Sequence, residues 1–138
     1  MAIVGIGIDL VKISRLEKIT ARWEGHFLDR VFTSAEQAYC LEKRFPPIHF
    51  SGRFAIKEAT LKALGSGLRK GMRWTDIETL NGPCGRPLVR VFGRVLQVAE
   101  DLGVSKILGS ISHDQDYAVG QVVLQSPCGS LPNPREVS

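Results

Sequence analysis

Ser51-Gly52-Arg53-Phe54-Ala55-Ile56-Lys57-Glu58-Ala59-Thr60-Leu61-Lys62-Ala63-Leu64-Gly65-Ser66-Gly67 reads as the helix around which the rest of the chain is arranged. Ala, Leu, Lys and Glu favour a helix, Ser51 stands where a cap is expected, and Gly65 is a natural stop. At about 100° per residue, Phe54, Glu58, Leu61 and Gly65 share one stripe, with Lys62 close beside it. Glu58 is therefore aligned with large apolar residues, where a carboxylate is not left unpaired. An i,i+4 pair with Lys62 is one account of it, worth about 0.2–0.5 kcal/mol. A functional role is the other.

The chain has 138 residues, enough for one domain with a real core, and 43% of them are hydrophobic and 23% charged, as in ordinary globular proteins. The net charge of +4 suits an acidic partner or a phosphorylated ligand. Its 18 basic residues are spread along every segment, which does not point to a nucleic-acid partner. Cys40, Cys84 and Cys128 lack metal-ligand spacing and read as reduced thiols of a cytoplasmic protein. Met1 to Val11 is apolar but has no basic leader and is too short to span a bilayer, so no membrane attachment is expected.

Ala2 to Val11 reads as a strand, with Val4, Ile6, Ile8 and Leu10 on one face and Ile3, Gly5, Gly7, Asp9 and Val11 on the other. Gly5-x-Gly7 is a weak phosphate-loop signal, and glycines relieving crowding in a sheet are its simpler account. Asp9, ending this apolar run, is either a helix cap or a functional group. Lys12 to Trp23 follows as an amphipathic helix with Ile13, Leu16, Ile19 and Trp23 inward and Arg15, Lys18 and Arg22 on its flank, suited to docking an acidic helix. Thr33-x-x-Glu36 is a capping box opening a helix to about Lys43, which Pro46-Pro47 ends before the central helix begins. Lys43, Arg44 and Arg53 bracket that connection and offer three cations to one anion.

Beyond Gly67 the pattern is β with one helix. Trp74 to Asn81 and Pro87 to Phe92 read as a hairpin around Gly82-Pro83-Cys84-Gly85, Gly93 to Leu102 as a helix, and Lys106 to His113 and Tyr117 to Gln125 as a second hairpin. Val95, Leu96, Val98, Ala99 and Leu102 are the core candidates of that helix. The expected domain is residues 1–125, of α+β class, a small antiparallel sheet packed against helices, with 126–138 a loose Pro-rich tail.

Asp9 and Glu58 with Lys62, Arg53 and His113 form the chemical inventory. Two carboxylates are too few for a zinc site, but they suit magnesium, which keeps its waters and shares substrate phosphates. The chemistry this favours is magnesium-assisted transfer from a pyrophosphate-containing donor.

Gly5-Ile6-Gly7-Ile8-Asp9, Gly52-Arg53-Phe54-Ala55-Ile56-Lys57-Glu58-Ala59 and Ser110-Ile111-Ser112-His113 form an ordered trio. With Phe32-Thr33-x-x-Glu36 and Trp74-x-Asp76-Ile77-Glu78, they give residues 1 to about 125 a specific resemblance to bacterial holo-acyl-carrier-protein synthase, the small trimeric class of 4′-phosphopantetheinyl transferases. The resemblance implies transfer of 4′-phosphopantetheine from coenzyme A to a serine of apo-acyl carrier protein, with release of adenosine 3′,5′-bisphosphate, as part of fatty-acid biosynthesis. It implies that Asp9 and Glu58 hold magnesium, and that Lys62 meets the coenzyme A phosphates beside Gly65. His113 would approach the adenosine end, and Arg53 with Lys43 or Arg44 would hold the 3′-phosphate. Arg15, Lys18 and Arg22 would meet the carrier protein. Glu58, directly or through a metal-bound water, would be the base. It further implies a homotrimer with sites between subunits, Asp9, Glu58 and Lys62 coming from one and His113 from its neighbour. A basic module that grips an anion without catalysis is the alternative from another class. It gives no reason for Asp9 and Glu58 to stand beside a phosphate.

Overall fold

The computed structural model describes residues 1–23 and 25–127, with the side chain of Trp23 left out. In chain order the elements are β1 (Ala2–Lys12), α1 (Ile13–Trp23), α2 (Gly25–Val31), α3 (Ser34–Leu41), α4 (Pro46–Leu64), β2 (Ile77–Asn81), β3 (Pro87–Val91), α5 (Gly93–Asp101), β4 (Lys106–His113) and β5 (Tyr117–Ser126). The strands form one antiparallel sheet in the order β1-β5-β4-β3-β2. The α+β class expected from the sequence is the one found. The expected tail falls almost wholly outside the described residues, apart from Ser126, which closes β5, and Pro127.

Helix α4 is the organising element. It starts earlier than its sequence suggests: Pro46 and Pro47 do not precede it but form its first turn. There their fixed φ suits a helix and their missing N–H groups cost nothing. Ser51 is accordingly no cap but a buried mid-helix residue. Gly65 ends the helix in the left-handed region at φ 74°, its N–H returning to Leu61 and Lys62 carbonyls. Eleven of the 19 residues of α4 are buried, on both of its sides. One side joins Ile56, Ala59, Leu61 and Leu64 to Ile77, Val95, Val122 and Leu124; the other joins Phe50 and Ala55 to Val11, Leu16, Val31 and Phe32.

The sheet lies against α4 at unusually short range. A Cβ on Gly7 would overlap the Ala59 carbonyl oxygen, and one on Gly120 would lie 2.6 Å from the Ile56 nitrogen. Gly5-x-Gly7 is thus a packing device of the sheet, since only glycine lets a backbone come this close. The alternation expected along β1 is broken by a register shift between Ile3 and Gly5. An extra residue in one strand turns the residues before it to the other face. Val4 therefore packs on the core, while Ile3 joins Ile6, Ile8 and Leu10 on the outer face, each 57–60% exposed.

A buried ion pair ties α4 to the opposite flank. Lys57, fully buried, donates to Glu36 Oε1 at 2.8 Å, to the Trp74 carbonyl at 3.1 Å and to the Ile77 carbonyl. Glu36 also accepts from the Thr33 and Thr79 amides, each at 3.0 Å, so the ammonium and the carboxylate are both fully engaged. The Thr33–Glu36 capping box predicted from sequence is present, and its glutamate doubles as the counter-ion of Lys57. Charges this deep are tolerable only when paired and hydrogen-bonded.

Candidate active site

Two elements bring one group of predicted residues together. Asp9 comes from β1, opposite Gly120 of β5, while Glu58 and Lys62 come one turn apart on α4. Lys62 does not pair with Glu58 as helix spacing suggests. Its Nζ donates to Asp9 Oδ1 at 2.9 Å and to the Ile8 carbonyl at 3.0 Å. The reason is the close seating of β1 on α4, which places strand acceptors nearer to Lys62 than sequence spacing reveals.

Asp9 and Glu58 both face a cleft of ≈470 Å³, whose wall also includes Lys12, Arg15, Phe54 and Tyr117. The Glu58 carboxyl is pushed above the usual carboxylate range, first by burial and then by the charge of Asp9, with Lys62 pulling the other way. Among the described residues no group of three or more His, Cys, Asp or Glu side chains is arranged for a metal ion. Two carboxylates repelling each other across an open cleft nonetheless suit a magnesium ion that keeps most of its oxygen ligands from water and phosphate. The donors present fit that ion better than a zinc, which takes three or four protein ligands.

A second group lies elsewhere on α4. Arg53 is 3% exposed; its guanidinium sits 4.1 Å from the centre of the Tyr39 ring and donates through Nη2 to Asn81 Oδ1, while its Nε has no partner. Lys43 Nζ stands 4.4 Å from the centre of the same ring. The His49 ring contacts Tyr39 at 6.0 Å and His113 at 6.4 Å between centroids. Arg53 and His113, both expected at the nucleotide end of the substrate, are linked through Tyr39 and His49, and Lys43 stands at the same Tyr39 ring while Arg44 is exposed. His113 is not on the wall of the Asp9–Glu58 cleft; it lines an adjoining one with Ser112, Asp114 and Val119, the two sharing Leu10 and Tyr117.

Arg15, Lys18 and Arg22, the residues expected to meet a carrier protein, lie on α1, and Arg15 reaches the rim of the carboxylate cleft. Sequence reasoning missed Tyr39, His49, Asn81 and the Lys57–Glu36 pair. The i,i+4 spacing of His49 and Arg53 was the one available hint for the first cluster. No helix among the described residues is long and apolar enough to cross a membrane.

Comparison with known proteins gives this geometry its context. Residues 5–122 match the 4′-phosphopantetheinyl transferase superfamily. The holo-[acyl-carrier-protein] synthase of Syntrophus aciditrophicus is 45% identical over 121 residues, 88% of this chain and 94% of that protein. The Helicobacter pylori holo-[acyl-carrier-protein] synthase, solved in complex with coenzyme A, superposes with a TM-score of 0.77 at 33% identity, covering 87% of this chain and 99% of the other. The Bacillus anthracis synthase, solved in complex with CoA (3′,5′-ADP), gives 0.75 at 34% identity over 91% and 98%. With its fold, its motif carboxylates on one cleft and nearly its whole length in common with these enzymes, the chain belongs to the 4′-phosphopantetheinyl transferase superfamily and is a transferase of its holo-[acyl-carrier-protein] synthase branch.

Proposed function

We propose that the protein moves 4′-phosphopantetheine from coenzyme A to the serine hydroxyl of apo-acyl carrier protein, with magnesium held by Asp9 and Glu58, and releases adenosine 3′,5′-bisphosphate. The observation that carries the reading is the convergence of Asp9 and Glu58 on one cleft, with Lys62 bound to Asp9 and Arg15 on the rim. In the transfer, the serine oxygen bonds to the β-phosphorus as the pyrophosphate P–O bond breaks, and the electron pair leaves with the nucleotide. When bound, magnesium neutralises charge on the pyrophosphate. Lys62, its side chain 54% exposed, can turn its ammonium from Asp9 to a phosphate oxygen as negative charge gathers there. Glu58, directly or through a metal-bound water, is the base for the serine proton. Arg15, Lys18 and Arg22 steer an acidic carrier toward the cleft.

The reading includes a homotrimer. Ile3, Ile6, Ile8 and Leu10 leave a row of large apolar side chains in the open on one sheet face, as an interface between copies needs. His113 lines a cleft adjacent to that of Asp9 and Glu58, not the same one, which supports its serving the site of a neighbouring copy. Cys40 and Cys84 are free thiols, in keeping with a cytoplasmic enzyme.

The test is mass spectrometry of apo-carrier protein after incubation with coenzyme A, magnesium and this enzyme. A gain of one phosphopantetheine group is expected. No gain with several carriers and divalent metals contradicts the reading and favours a non-catalytic anion binder.

A further inference from the structure

Lys43, just after α3, and His49 and Arg53, on two successive turns of α4, gather around Tyr39, and His113 at the end of β4 stands against His49. Among the described residues, no carboxylate is in ion-pair contact with any of the four. Asp114, which follows β4, is the acidic group seen to interact with His113. Its own carboxyl is held low by the Tyr117 and Asp116 amides. Cys40 of α3, close to Arg53, is pushed up to about 12 by burial, so it brings no negative charge. The buried Arg53 Nε, lacking any partner, is a donor that awaits an acceptor.

We propose that His49 is a recognition group for the terminal phosphomonoester of the nucleotide substrate, and that it takes up a proton as this phosphate seats among Lys43, Arg53 and His113. The inference rests on the coenzyme A reading and extends it to a residue outside the three ordered motifs. A phosphomonoester dianion fits the set because it brings two charges and three acceptor oxygens to four donors, more than one carboxylate offers. In the free protein His49 is held below its ordinary pKa, by burial first and then by Arg53, Lys43 and His113. A dianion placed among these groups offsets the last three effects, so the imidazole becomes a cation that donates to it. Binding is thereby linked to proton uptake and strengthens as the pH falls through the near-neutral range.

Calorimetry with the full chain distinguishes this from a structural role. Coenzyme A and dephospho-coenzyme A, which lacks that phosphate, are titrated near neutral pH into wild type and His49→Gln, in two buffers of different ionisation enthalpy. The phosphate's own proton release is common to both proteins, so their difference isolates His49. Wild type is expected to take up more protons with coenzyme A than His49→Gln does. The variant should lose roughly tenfold in coenzyme A affinity. It should keep its affinity for dephospho-coenzyme A, which also shows that it is folded. Equal proton counts in the two proteins, or equal losses for both ligands, overturn the inference and leave the transferase reading standing. Failure of wild type to bind coenzyme A at all overturns both.

Discussion

Gly7 of β1 rests directly on the Ala59 carbonyl of α4, leaving no room for a β-carbon between strand and helix. That contact fixes the spacing of the carboxylates, because Asp9 lies two residues along the strand and Glu58 is the helix residue beside Ala59. Gly7→Ala must push β1 off α4 and carry Asp9 and the Lys62 contact with it. The expected outcome is about 1–3 kcal/mol of lost stability. Transfer activity should fall far more than the folded fraction does. Urea unfolding beside a carrier-modification assay checks this, and wild-type activity in the folded fraction contradicts it.

Asp9→Ala and Glu58→Ala should each abolish transfer and leave the fold intact. The Lys62–Asp9 pair has one largely solvent-exposed partner, so its loss costs about 0–1 kcal/mol. Thermal unfolding with and without magnesium plus coenzyme A provides the readout. Wild type should be stabilised by the pair of ligands, and each variant much less so. Full stabilisation of either variant contradicts its place as a metal ligand.

The raised pKa of Glu58 makes a prediction of known sign. A carboxyl whose folded pKa exceeds its unfolded value favours the fold while protonated, and that support is lost as pH rises through the folded pKa. Without metal, Glu58→Gln should therefore melt above wild type at neutral pH, by roughly 1–3 °C given the partial exposure of the group. The gap should close as pH falls below the carboxylate range. A constant gap at every pH assigns the effect to packing instead.

Arg15→Glu should weaken use of the carrier protein far more than coenzyme A binding. Long-range steering is screened by salt, so the defect should shrink as ionic strength rises. Arg15 also lines the carboxylate cleft, which makes the comparison pointed. An equal loss of coenzyme A affinity places α1 in the nucleotide site.

The sequence was most legible where chemistry and periodicity coincide. The capping box at Thr33 and Glu36 and the hairpins follow from local pattern, and the pairing of Asp9 with Glu58 on one cleft was implied by the motifs. It was least legible where long-range packing decides. Lys57 looks like an ordinary helix-surface lysine, yet three partners from α3, β2 and the turn before it bury it completely. Lys62 takes a partner 53 residues away over one that is four residues distant, because two glycines let β1 approach. His49 joins His113 only once α4 lies on β4, and no spacing in the chain announces that pairing.

On the proposed mechanism, each chain carries the two halves of a site that only a neighbouring copy completes. The most direct measurement mixes Asp9→Ala with His113→Ala after mild dissociation, with subunit exchange verified by intact-assembly mass. Each variant alone should be nearly inactive. In a cyclic trimer with random exchange, about one site in four pairs an intact Asp9 from one chain with an intact His113 from the next. Carrier modification should then rise toward about a quarter of the wild-type rate. If exchange is complete and activity stays at the mean of the two variants, the halves do not meet between subunits and the shared-site account is wrong.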